Sequence, residues 1–273
     1  MAETAGPYRI GGETVSVAPH FRMTGGYGPS REVALRRIEH ALGPDDFRKL
    51  AFVAGRVTSG KGTPNEVRTL TQALIDRGAA GAFVTGSEEA AIRKMMWEHG
   101  IGMDCSGYVF QAFLSVRANA AGTPASPSTY SVGSLERHQL PSPGLRRVLP
   151  SEARAGDLFI LSGNPGHKTI VHSNREVVTT DRKLNVSGRV IPETFLRAGF
   201  PDGYPATLRV FEVDSSWGAG EAGHPEAGVK RELWVQNQAN GLWGYWNNDG
   251  AFRVSAGPYD HAIDGVYRGK DEP

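Results

Sequence analysis

Hydrophobic positions recur at helical spacing early in the chain and alternate at strand spacing in its second half. "SREVALRRIEHALG" sets Val33, Leu35, Ile38 and Leu42 roughly on one face, opens on Ser30 as N-cap and stops at Gly43. "GPDDFRKLAFVAG" predicts a second short helix. In "TPNEVRTLTQALIDRG", Thr63 precedes Pro64, the order of a cap and a first helical residue, and Gly78 ends the run. "GSEEAAIRKMMWEHG" offers Ser87 as cap with acids in the first turn. A fifth helix, "CSGYVFQAFLSVRANAAG", starts at Cys105. Before these helices the Gly-rich residues 1–29 hold one short strand or arm, "ETVSVAP".

Residues 122–156 then fill with Pro, Ser and Gly and predict a long loop or lid. After it come strand-like runs: "GDLFILSG", "HKTIVHS", "LRVFEVDSS", "RELWVQN" and the weaker "GLWGYW". There are no internal repeats. Helices first and strands later give an α+β fold. The expected division is an N-terminal arm and helical region over 1–90 and a second domain over 91–273 that carries the 122–156 loop.

Composition narrows the class. The chain has 273 residues, 39% hydrophobic and 22% charged, with a formal net charge of +1. That balance predicts no general attraction to nucleic acid or anionic membranes. No apolar stretch is long enough for a membrane span, and "MAETAGPYRIGGETVSVAPH" lacks the basic and apolar regions of a secretory signal. With one cysteine, neither an internal disulfide nor a thiolate zinc site can form, and no H-E-x-x-H spacing links the eight histidines. No metal or other cofactor is expected.

Cys105 therefore has two readings, a small buried hydrophobe or a nucleophile. At a helix start the unpaired N–H groups and the positive dipole end favour a thiolate and can stabilise an adjacent oxyanion. Asp104 can cap the helix, and small Ser106 and Gly107 let a substrate approach. A thiolate also needs a base. His167 follows the turn "GNPG" and opens a strand, while His172, five residues on, falls on the opposite face. Asp214 ends "LRVFEVD" and is a candidate to orient the imidazole, or simply a strand-end cap.

"MDCSGYV" resembles the D-C-S-G-[aromatic]-V signature of the NlpC/P60 cysteine peptidase superfamily, and "ARAGDLFILSGNPGHKTIV" resembles its second, histidine-bearing block. The resemblance covers roughly residues 97–237. It implies a papain-like α+β core with the cysteine helix packed on a small antiparallel sheet. It also implies Cys105 as nucleophile, His167 as general base and Asp214 as the third polar residue, with Gln236 and Asn237 as competitors. "HKTIV" departs from the family's "HVGIY", and Met95 stands where a tyrosine usually precedes the cysteine block. Trp97 stands at the family's tryptophan, and His99 is the candidate substitute for the tyrosine. Asp104, Ser106, Trp97 and Trp217 are the expected substrate contacts.

The implied activity is hydrolysis of amide bonds in bacterial cell-wall peptides through a thioester. The partners that go with it are a peptidoglycan peptide and, for an exported effector or lysin, a secretion apparatus or immunity protein. A protein-glutamine deamidase or acyltransferase would use the same pair. A non-catalytic module would instead use Trp217, Trp234, Trp243 and Trp246 as a binding surface. "GRVTSGKG", Gly55 to Gly62, nearly spells a P-loop, but Gly62 stands where Ser or Thr must follow Lys61. A Gly-rich turn before a capped helix explains the same letters.

Overall fold

A computed structural model describes residues 6–22, 28–83, 86–121, 145–161, 167–200, 204–217, 228–246, 250–255 and 263–269. The chain divides into two compact units, Met1–Gln111 with Ser216–Lys230, and Ala112–Ser215 with Arg231–Pro273. The division falls at residue 111, whereas the sequence reading set its boundary at 90.

In the first unit a hairpin of β1 (Tyr8–Ile10) and β2 (Glu13–Val15) precedes β3 (His20–Phe21), then α1 (Arg31–Leu42), α2 (Pro44–Val57), α3 (Pro64–Asp76) and α4 (Glu88–Glu98). Three of these helices, α1, α3 and α4, begin where the sequence supplies a side-chain cap, while α2 starts at Pro44 after Gly43 without one. Ser30 Oγ accepts from the Val33 N–H, and Ser87 Oγ from the Ala90 N–H. Thr63 and Glu66 form a reciprocal capping box at α3. The buried stripe of α1 is Ala34, Ile38 and Leu42; Val33 and Leu35 are only half-buried, so the buried face is turned from the one the large apolar residues predict. Val67, Leu70, Leu74 and Ile75 bury the inner face of α3. β3 pairs in parallel with β4 (Gly102–Met103), which leads directly into α5 (Cys105–Ala121).

His20 lies at this junction, 2% exposed. Its Nε2–H donates to the Arg93 carbonyl at 2.7 Å, and its ring stands edge-on to Trp97. Its Nδ1 has no hydrogen-bond partner among the described residues. Burial, aided by the charge of Arg93, lowers the ring's pKa to about 4. The unfolded imidazole takes its proton near 6.5, so between there and 4 the unfolded chain binds the extra proton. Stability is complete above the unfolded value and falls as pH drops towards 4, by about 3 kcal/mol at the acid limit. His99, also lowered by burial, adds in the same direction. Denaturant midpoints at about pH 7.5 and about pH 4.5 test this: His20→Gln loses most of the difference shown by the unmutated protein. An unchanged difference would refute the assignment.

The second unit is organised by an eight-stranded sheet in the order β13-β12-β11-β10-β7-β6-β14-β5. Its strands are β5 (Leu145–Val148), β6 (Leu158–Leu161), β7 (His167–Thr179), β10 (Ala206–Trp217), β11 (Gly228–Asn237), β12 (Trp243–Trp246), β13 (Phe252–Ser255) and β14 (Ile263–Gly269). A hairpin of β8 (Leu184–Val186) and β9 (Arg189–Ile191), followed by α6 (Glu193–Arg197), packs on one face. The architecture is α+β with a large antiparallel sheet, as the order of patterns predicts.

β10 shows how alternation builds two cores. Ala206, Leu208 and Val210 join Phe195, Leu196 and the hairpin on one side. Phe211 and Val213 join Phe159, Leu161, Val171 and Trp234 on the other. Each such side chain contributes about 1.5–3 kcal/mol by leaving water.

Two parts of the sheet depart from expectation. The described part of the 122–156 loop is not loop throughout: residues 145–148 form β5 and Pro150–Glu152 a 3-10 turn, while 122–144 lie outside the described residues. The C-terminal strand β14, which no sequence pattern marked, inserts between β6 and β5. Arg268 of β14 ties it down, donating to both carboxylate oxygens of buried Asp157 at 2.9 Å and to the Glu152 carbonyl. The aspartate of "GDLF" is thus a structural anchor.

Candidate active site

Cys105 is the first residue of α5, and its helix head is built by two side chains from different parts of the sequence. Asp104 is the N-cap: its Oδ1 accepts from the Gly107 N–H at 2.5 Å. Its Oδ2 meets Lys61 Nζ at 2.6 Å, so one carboxylate caps the helix and carries an ion pair. The Asp104 N–H donates to the Gly60 carbonyl at 3.2 Å. Gly60 has φ +77°, which favours glycine, and both Gly60 and Gly107 lie too close to neighbouring backbone for a Cβ.

The near P-loop is therefore a seat for the cysteine turn. Gly55–Val57 end α2 rather than follow a strand, which removes the P-loop context. The Cys105 thiol is partly exposed, with Sγ 4.0 Å from Ser106 Oγ. Ser106 itself is buried. Tyr108, Val109, Phe110 and Phe113 bury the body of the helix and fix its head. Ser216, at the end of β10, donates to the Met103 carbonyl just before the turn at 2.8 Å.

In the second unit His167 opens β7 opposite Leu161 of β6, buried at the end of the row formed with Thr169 and Val171. Its Nε2 lies 3.1 Å from Ser215 Oγ. Asp214 does not fill the orienting role expected of it. It stands opposite Ile170, on the other face of the sheet from His167. Its carboxylate takes Nε and Nη2 of Arg231 at 2.8 and 3.1 Å, with His172 Nδ1 at 3.7 Å. One residue along a strand reverses the face, so Ser215 rather than Asp214 reaches the imidazole. Asn237 is committed to the Phe195 and Ala198 carbonyls, and Gln236 sits opposite Trp243 in the ladder.

The remaining expected residues divide similarly. Trp97 is half-buried against His20. His99 Nδ1 is bonded to the Met95 carbonyl within α4's last turn, and its ring meets Phe83, so it does not stand in for the absent tyrosine. Met95 is fully buried. Trp217 ends β10, and its side chain lies outside the described residues. Trp234, stacked on Tyr245, and Trp246, against Phe252, are buried, while Trp243 is half-buried against Phe159 and Phe211, so all three take part in packing.

Lys61 and Ser215 were not anticipated. Strand parity could have found Ser215, since it takes the face opposite to Asp214; nothing local marks Lys61. Among the described residues no group of three or more His, Cys, Asp or Glu side chains is placed to hold a metal ion, and no helix is long and apolar enough to cross a membrane. Comparison with family models, curated proteins and solved structures returns no match.

Proposed function

We propose that the chain is a cysteine hydrolase of amide bonds in bacterial cell-wall peptides, with an NlpC/P60-like, papain-like core. The observation that carries this reading is Cys105 at the head of a long helix, capped by Asp104 and partly exposed. In this reading the thiolate attacks the scissile carbonyl carbon, and the backbone N–H groups at the head of α5 stabilise the oxyanion. The C–N bond breaks, His167 gives a proton to the leaving amine, and a thioester remains. Water then attacks the thioester, losing its proton to His167, and the carboxylate product leaves with Cys105 restored. Ser215 Oγ lies 3.1 Å from Nε2, and this role calls for the tautomer in which it accepts from Nε2–H and Nδ1 is the basic nitrogen. Incubation with purified peptidoglycan fragments tests the reading: mass spectrometry finds new peptide ends. Intact fragments count against it.

A deamidase or acyltransferase is the second reading, favoured by the buried Met95 at the usual tyrosine position. It predicts a mass gain of about one unit on protein glutamines and no cleavage of fragments.

The two neighbouring β10 residues separate by mutation. Ser215→Ala lowers kcat about tenfold with little change in KM, because it frees the imidazole to turn. Asp214→Asn leaves kcat within about twofold and acts on stability through Arg231. Steady-state kinetics with a defined muropeptide distinguishes them, and the reverse order would restore Asp214 as the orienting residue.

A further inference from the structure

The cap of α5 sets an electrostatic problem. A carboxylate is among the good helix caps, yet its charge next to Cys105 opposes a thiolate. The ion pair of Lys61 with Asp104 answers it. The ammonium lies 2.6 Å from Oδ2, the oxygen not used for capping, and the pair is mostly buried, with the side chains 22% and 12% exposed.

We propose that Lys61 is a positioning residue for the cysteine: it cancels the charge of the Asp104 cap and clamps the carboxylate in its capping geometry. This inference rests on the reading of Cys105 as nucleophile. Lys61 is brought here by Gly60, whose carbonyl accepts the Asp104 N–H and whose left-handed conformation turns the loop against the helix head. The described charged groups around the turn are Asp104, Lys61 and Arg22; the last directs its Nε–H to the Thr58 carbonyl. His20, on the strand paired with β4, is held neutral by burial, with its pKa lowered to about 4. Lys61 is a cation bonded directly to the cap.

The lone thiol makes the test clean, because iodoacetamide adds to one cysteine only. The rate of alkylation of the full chain is followed against pH by intact mass, for the unmutated protein and four variants. Lys61→Met removes the ammonium that offsets the cap's charge, so the midpoint of the profile rises. Near neutral pH the rate falls roughly three- to tenfold, the effect of one charge a few ångströms away at close to the dielectric of water. Lys61→Arg restores the original midpoint. Asp104→Asn keeps a capping oxygen without the charge and lowers the midpoint. The double variant Lys61→Met/Asp104→Asn returns close to the original, since both charges are gone. An unmoved midpoint in Lys61→Met, or failure of Lys61→Arg to restore it, overturns the proposal. Should Lys61→Met not fold, Asp104→Asn decides alone: an unmoved or raised midpoint overturns it. The reading of Cys105 has its own outcome. An unmutated midpoint near the free-thiol value of about 8.5 counts against an activated nucleophile. A lower midpoint indifferent to Lys61 removes only the role of Lys61.

Discussion

Cys105→Ala abolishes turnover of cell-wall peptide fragments, with kcat/KM reduced at least about ten-thousandfold. No other side chain can replace a covalent nucleophile, and the residual rate reflects binding and oxyanion stabilisation alone. Cys105→Ser loses nearly as much, because a helix head that favours a thiolate does not ionise a hydroxyl. Both variants keep the fold: the thiol is small and only partly buried, and the helix is held by the Asp104 cap and by buried Tyr108, Phe110 and Phe113. Product mass spectrometry measures the loss, with circular dichroism confirming native structure. On the proposed function, one equivalent of iodoacetamide stops turnover by the unmutated protein to the same degree, since this chain has a single thiol. Activity within tenfold of the unmutated protein in Cys105→Ala would remove Cys105 from the mechanism.

Gly107→Ala destabilises the first unit by about 4 kcal/mol. A Cβ at Gly107 would sit 2.2 Å from the Gly60 carbonyl oxygen, a backbone atom with nowhere to swing. Gly60 cannot retreat cheaply, because its own surroundings are as close: a Cβ there would meet the Arg22 carbonyl oxygen at 2.4 Å. Any shift that relieves the clash therefore also weakens the Asp104 N–H bond to Gly60 and the pairing of Lys61 with the cap. Gly78→Ala is the control. Gly78 has φ +78° but nothing within 4 Å of its missing Cβ, so it costs only the conformational penalty of about 1 kcal/mol. Urea midpoints compare the two, and equal losses would show that conformation, not close approach, governs Gly107. The glycine of "DCSG" is required here by the loop that seats the helix, before any argument about substrate access.

Local chemistry in the sequence accounts for much of the architecture. Ser30, Thr63 and Ser87 start helices because their oxygens satisfy N–H groups two or three residues on, an interaction visible within one turn. The continuous apolar run in "GDLFILSG" and the mixed runs "HKTIVHS" and "LRVFEVDSS" give strands because period two puts one row of side chains on each face of the sheet. β14 escaped because "IDGVYRG" has little apolar alternation and depends on neighbours for its place. Those neighbours are β5 and β6 on its two sides and Asp157 receiving Arg268. Trp234 lies inside a strand and is buried, whereas the places of Trp243 and Trp246 follow only from their packing against Phe159, Phe211 and Phe252.

By itself the sequence determined that Cys105 heads a capped helix, that His167 opens a strand and that helices precede an antiparallel sheet. Each depends on interactions between residues a few places apart. Tertiary structure alone decided which groups serve those two residues. Ser215 displaced Asp214 because strand register and pleat, set by the pairing of β10 with β7, turn neighbouring side chains to opposite faces. Lys61 reached Asp104 because Gly60 turns a loop back onto the start of α5, and no local pattern encodes a contact across that sequence distance.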